Sequence, residues 1–217
     1  FRLMPAEQAA ALREEYGRLR GGWEGEGFCS DLVVDDPAYR REVNSVLGTA
    51  LDDLVTGRFA GYTPFLHNYL CKFPGAGSDL YLHRDWMYVD ERAGDHTYVC
   101  WVALEDITGH NGQLRVLRGS HHLDDMLRGT DLVAPWLADT TEIEPRLLAV
   151  PLEAGECIVF DNRLVHSSFP NHTDRPRVAA AVGMRPDGAP LVHFRRSGPE
   201  TADRYDVDED FFCTATP

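Results

Sequence analysis

From residue 61 onward the chain breaks into nine short β-rich runs, at 62–72, 80–89, 97–105, 113–118, 147–151, 157–161, 164–168, 177–184 and 191–195, separated by Gly, Pro, Asn and Asp. This punctuation limits the fold more than any other feature, because short strands hide their apolar sides only by stacking as two sheets or closing into a barrel. The expected class is mainly β, and the number of strands suits a double-sheet jelly roll.

The first sixty residues differ. Residues 6–19 are rich in Ala, Leu, Glu and Arg and stop at Gly21-Gly22, which predicts a helix. A second helix starts where Asp36 can cap it and Pro37 fits the first turn, and Val43, Leu47, Leu51 and Val55 then recur at helical spacing. The expected organisation is a single domain, 1–217, with helices in 1–60 buttressing a jelly-roll core over 61–196. An insertion at 121–145, with a short helix over 123–128, has the length of a lid or substrate loop. The acidic tail, 197–217, is expected to be solvated.

Composition excludes several functions. With 21 Lys and Arg against 35 Asp and Glu the formal charge is −14, which repels nucleic-acid backbones and anionic lipid, and no basic patch offsets it. No apolar run approaches the roughly 20 residues of a membrane helix. Cys29, Cys71, Cys100, Cys157 and Cys213 are odd in number and form no CxxC pair, so the expectation is a reducing, cytoplasmic setting with cysteines as small core residues. The expected partner is a small molecule.

Chemistry concentrates in two segments. In Leu82-His83-Arg84-Asp85-Trp86, strand alternation would put His83 and Asp85 on one face and Arg84 on the other. If a later strand brings His166 alongside, two imidazoles and a carboxylate occupy one face of a divalent ion and leave its other positions open, the facial triad of non-haem Fe(II) oxygenases. His-X-Asp alone is weak; a kinase loop, which shares His-Arg-Asp, would need Asn where Asp90 stands. Beyond His166, Ser168 shares its strand face and Arg177 opens the next run, where a guanidinium and a hydroxyl could grip the far carboxylate of 2-oxoglutarate. The alternatives are that Arg177 pairs with a surface acid, or that Arg175, held in a turn by Pro176, competes for the role.

These segments, with Lys72-Phe73-Pro74-Gly75, Trp101-Val102-Ala103-Leu104-Glu105-Asp106, Asn111-Gly112-Gln113-Leu114 running on to Gly119-Ser120-His121, and Gly155-Glu156-Cys157-Ile158-Val159-Phe160-Asp161, follow one another in an order that resembles the phytanoyl-CoA dioxygenase family over most of 61–195. The resemblance implies a cupin-like double-stranded β-helix, Fe(II) on His83, Asp85 and His166, 2-oxoglutarate on Arg177 and Ser168, molecular oxygen as co-substrate, and hydroxylation of a small metabolite in a biosynthetic pathway. Related halogenases carry a small residue in place of the metal carboxylate, so Asp85 favours oxygenation.

Asn68, Trp86, Tyr88 and Trp101 lie on or beside the motif strands and are candidates to line the substrate or co-substrate pocket, with ordinary core packing as the alternative for each aromatic. His121 competes with His166 as third ligand and otherwise would reach the site as a substrate contact; the remaining histidines read as surface or structural residues. Two other functions fit such a fold: a zinc-dependent cupin-like hydrolase and a non-catalytic jelly-roll binding module.

Overall fold

The computed structural model describes residues 1–123, 126–198 and 201–215. Two helices lead the chain. Helix α1 spans Ala6–Arg20 and ends at Gly21 in the left-handed conformation; α2 spans Pro37–Thr56, where the Asp36 carboxylate accepts the backbone N–H groups of Ala38 and Tyr39 at 3.0 and 3.1 Å. That cap satisfies donors the first turn cannot satisfy itself.

Eleven strands follow the expected rhythm with local departures: β1 Phe28–Ser30, β2 Tyr62–Lys72, β3 Leu80–His83, β4 Tyr98–Ala103, β5 Leu114–Val116, β6 Leu148–Val150, β7 Cys157–Asp161, β8 His166–Ser168, β9 Arg177–Pro186, β10 Leu191–Arg196 and β11 Ala202–Val207. They form a five-stranded sheet ordered β1-β2-β9-β4-β7, a four-stranded sheet ordered β3-β8-β5-β6, and a β10-β11 hairpin. Trp101, Ala103, Ala179 and Ala181 of the large sheet pack with Leu114 and Val116 of the small one, making the two-layer jelly roll.

Strand β9 organises the interior through its period of two. Val178, Ala180, Val182 and Met184 face outward onto Val43, Leu47, Leu51 and Val55 of α2, a cluster that also holds Tyr69, Cys71, Cys100 and Cys157. The alternate residues, Arg177, Ala179, Ala181 and Gly183, face the opposite sheet. Three of these four have almost no side chain, which hollows the space between the sheets instead of filling it.

Several expectations change here. β1, unforeseen in the helical segment, extends the edge of the large sheet by pairing with β2. The tail is not simply solvated: β11 pairs with β10 along its length, and a final turn of helix, α3 at Phe211–Thr214, buries Phe212 against Phe65 and Tyr88. Backbone pairing and one buried aromatic hold an acidic segment whose composition reads as exposed. The helix expected over 123–128 includes positions 124 and 125, which lie outside the described residues. Cys71, Cys100, Cys157 and Cys213 are buried, Cys29 is partly exposed, and all five thiols are free. No helix among the described residues is long and apolar enough to cross a membrane.

Leu51 is completely buried between α2 and the sheet. Replacing it with Ala should cost about 3 kcal/mol of unfolding free energy, against about 1 kcal/mol for Asp36→Ala, as read by urea denaturation; equal losses would mean that the helix is held mainly by its cap.

Candidate metal centre and its cavity

Strands β3 and β8 are antiparallel neighbours, and their register sets His83 directly opposite His166. The two rings lie 4.1 Å apart at their centroids. Each Nδ1 is 2.9 Å from the backbone carbonyl two residues before it, Tyr81 for His83 and Leu164 for His166. A carbonyl can only accept, so each Nδ1 carries a proton, and in the neutral ring it is Nε2 that presents the lone pair. Asp85 Oδ1 lies 3.8 Å from both Nε2 atoms. That separation is too long for a hydrogen bond, yet it suits ligands held at about 2.1 Å from one shared ion.

His83, Asp85 and His166 form the one group of potential ligands of this kind among the described residues, with all donor atoms within 4.8 Å of one another. Burial and the neighbouring His166 pull the His83 imidazole down to about 3, and burial raises the Asp85 carboxyl above its usual range. Both shifts mark a site that holds a neutral His83 imidazole beside a costly bare carboxylate, as a site built around a cation does.

The geometry differs from simple strand alternation. β3 ends at His83, with a register shift between Leu80 and His83, so Asp85 stands beyond the strand. Arg84, expected on the opposite face, lines the same cavity as His83 and Asp85 because the alternation ends with the strand. What holds Asp85 is therefore not pleating. Arg128 Nε donates to the Asp85 carbonyl at 2.8 Å while its Nη2 donates to Glu91 at 2.5 Å, an ion pair with both side chains buried. Asn162 Nδ2 stands 3.5 Å from Asp85 Oδ2.

Between the sheets is a cavity of about 670 Å³ lined by all three candidate ligands, Arg177 and Ser168. Arg177 is 2% exposed. Its Nε and Nη2 donate to the carbonyls of Asn111 and Gly112 at 3.1 and 2.9 Å, its guanidinium lies 5.5 Å from the Trp101 ring centroid, and its Nη1 has no partner among the described residues. Gly112 has φ 92°, and a Cβ there would meet the Lys72 side chain and come within 3.1 Å of Arg177 Nη2; only glycine permits both the turn and the close approach. Burial pulls the guanidinium down to about 10, which still leaves it charged at neutral pH. Arg175 is instead an exposed residue paired with Glu105 at 3.5 Å. Ser168 and Arg177 come from facing sheets, β8 and β9, not from adjacent strands as a simple strand-turn-strand return would place them.

Asn68, Trp86, Tyr88 and Trp101 line the cavity. His121 does not; it stacks on His122 with ring centroids 3.8 Å apart, outside the lining. The other buried histidines are structurally engaged: His67 between Asn44 and Asp52 at 2.9 and 2.6 Å, His193 against Thr130 at 3.0 Å. Residues that sequence reasoning passed over include Ser30, 3.2 Å from Asn68 Nδ2, together with Arg128 and Asn162. Lys72 is fully buried beside Arg177, and burial with the Arg177 charge pulls it down to about 7. Its sequence signals are a lysine inside a strand pattern and its place in Lys72-Phe73-Pro74-Gly75.

A family model described as phytanoyl-CoA dioxygenase matches residues 8–179. Ectoine dioxygenase of Nocardia farcinica is 29% identical over 215 residues, which cover 81% of this chain and 69% of that protein. Dioxygenase aneA of Aspergillus aculeatus is 32% identical over 86 residues, 39% of this chain and 26% of that protein. The chain spans less than half the length of several curated relatives it matches. Among solved structures, the epimerase SnoN in complex with Fe3+, alpha ketoglutarate and nogalamycin RO superposes with a TM-score of 0.62 at 25% identity, covering 90% of this chain and 80% of the other. The family model's match over residues 8–179, most of the chain, places this chain in the phytanoyl-CoA dioxygenase family.

Proposed function

We propose that the protein is a non-haem Fe(II)/2-oxoglutarate-dependent oxygenase that oxidises a small molecule, hydroxylation being the reaction its site favours. The observation that carries this reading is the convergence on one cavity of two Nε2 lone pairs, the Asp85 carboxylate and a buried guanidinium with an unpartnered N–H. His83, Asp85 and His166 are the proposed metal ligands, and Arg177 with Ser168 the proposed anchor for the far carboxylate of the co-substrate. Once bound, Fe(II) and 2-oxoglutarate supply the oxidising chemistry, with oxygen consumed and 2-oxoglutarate converted to succinate and carbon dioxide.

The chain's own residues bind, orient and shield. The backbone carbonyls of Tyr81 and Leu164 fix the imidazole tautomers, so ligand orientation is set before metal arrives. Arg177 lies where water is scarce, and leaving a cation there without an anion is unfavourable. A carboxylate reaching Nη1 would complete its coordination by charge-assisted hydrogen bonds. Walls of Trp101, Phe160, Val99 and Leu114 keep the reacting volume largely apolar and dry. Arg128 is a positioning residue: it joins the loop bordering the cavity to the backbone of Asp85.

Asp85→Ala should abolish substrate-coupled succinate formation and stoichiometric Mn(II) binding while the fold survives; a variant that still hydroxylates would remove the basis for this assignment. Arg177→Met should raise the dissociation constant for 2-oxoglutarate by about 100-fold, the scale of a charged hydrogen bond pair, and leave Mn(II) binding unchanged, as titration calorimetry can check. Arg128→Gln should weaken Mn(II) binding about tenfold, with circular dichroism unchanged; unaltered metal affinity would reduce Arg128 to a loop anchor.

A further inference from the structure

We infer that the outer part of the cavity is built for an uncharged ligand with a rigid, largely apolar ring body and at least one acceptor oxygen, delivered as a free molecule and not as a coenzyme A thioester. The inference rests on the oxygenase reading for where the ligand reacts, and on the walls of the cavity for what it is.

The walls away from Arg177 are apolar and aromatic: Leu32, Trp86, Tyr88, Leu132, Val133 and Trp136. Their rim is exposed as well. Seven large apolar side chains among the described residues are exposed, and three of them, Val33, Tyr81 and Val133 at 62, 69 and 65%, border this one opening. Isolated exposed apolar residues are ordinary, but a group of them around a cavity mouth marks a binding surface. An apolar ligand too large for the interior would cover them.

Charge narrows the class further. Besides Asp85 and Arg177, the charged residues that line the cavity are Arg84, Arg128 and Asp131. Arg128 is committed to Glu91 and the Asp85 carbonyl, and Arg84 lies over the Trp136 ring at 5.8 Å. Asp131 contributes a negative charge at the opening, on a chain already at −14. The phosphates of a coenzyme A thioester require a cluster of cations, and this mouth supplies a carboxylate and engaged arginines.

Rigidity argues for a ring over a flexible chain. The loop that forms the outer wall is anchored at its start, at Arg128 and Thr130, by backbone hydrogen bonds to both neighbours: Met87 N–H to the Arg128 carbonyl at 3.1 Å, Thr130 N–H to the Phe194 carbonyl at 2.9 Å, and Arg196 N–H to the Thr130 carbonyl at 3.1 Å; beyond it Leu132 N–H turns back to the Gly129 carbonyl at 3.2 Å. Gly129 lies so close to β10 that a Cβ would strike the Phe194 carbonyl, and Asp131 turns the chain at φ 62°. A wall fixed in advance favours a ligand that loses little conformational freedom on binding. Within it, the Trp136 Nε1–H is buried without an acceptor among the described residues, and such a donor is satisfied by a carbonyl, ether or hydroxyl oxygen.

The test uses the full chain and 1,8-dihydroxyanthraquinone, an uncharged three-ring probe with carbonyl oxygens, read by quenching of tryptophan fluorescence. The expected result is saturable binding with a dissociation constant on the order of micromolar, weakened about tenfold or more by Val133→Asp. Decanoyl-coenzyme A should fail to displace the probe. Val133 is exposed, so the substitution leaves the core intact. Absence of saturable quenching, equal affinity in Val133→Asp, or displacement by decanoyl-coenzyme A at comparable concentration would each overturn the inference. Mn(II) binding measured on the same preparation reads the oxygenase assignment separately: its absence would strike that assignment, while the probe titration still decides the ligand class.

Discussion

The register between β3 and β8 is the constraint on which the rest of the site depends. It sets His83 opposite His166, and the carbonyls of Tyr81 and Leu164 turn both rings so that their Nε2 atoms face the cavity. A slip of one residue would send one imidazole to the other face of its sheet. β8 is therefore held on its far side by β5 through Leu114, Arg115 and Val116, and the segment leading into it is tied by the Ser120 hydroxyl, which accepts from Val165 N–H at 2.7 Å. The third proposed ligand lacks that protection, since Asp85 stands outside the sheet. Arg128 supplies from a distant loop what the ladder does not.

The second requirement is room. A jelly roll closes when facing side chains fill the space between its sheets. Here β9 leaves that space open with Ala179, Ala181 and Gly183, while its outward Val178, Val182 and Met184 pack the helices. One strand therefore serves stability on one side and lines the cavity on the other. Arg177, at its start, gives an acidic molecule a buried local positive charge, which suits the proposed dianion. At long range the net charge of −14 repels such a ligand; a buried cation with an N–H unsatisfied among the described residues works at short range, where screening is weak.

Much of this was legible in the sequence because the determinants are local. The runs and turns announce two sheets, Asp36-Pro37 announces a helix start, and His83, Asp85 and His166 carry ligand chemistry in their residue types. The preference for Arg177 over Arg175 as the proposed anchor also rests on local structure, since Arg177 is buried in the cavity lining and Arg175 is exposed. What was not legible is what the chain brings together from afar. Arg128 reaches Asp85 over 43 positions, and no pattern around either residue foretells it. Arg84 lines the cavity beside His83 and Asp85 because strand alternation ends with β3 at His83. His121 belongs to a family-like segment but not to the cavity lining. The acidic tail gained a strand because backbone pairing with β10 is indifferent to side-chain charge.

In the proposed site a single cation and a single dianion occupy this cavity in fixed relation to each other. A crystal structure of the protein soaked anaerobically with Mn(II) and 2-oxoglutarate measures that relation directly. One metal peak is expected within ligand distance of His83 Nε2, His166 Nε2 and an Asp85 carboxylate oxygen, with the far carboxylate of 2-oxoglutarate on Arg177. Metal bound elsewhere, or 2-oxoglutarate ordered away from Arg177, would contradict it.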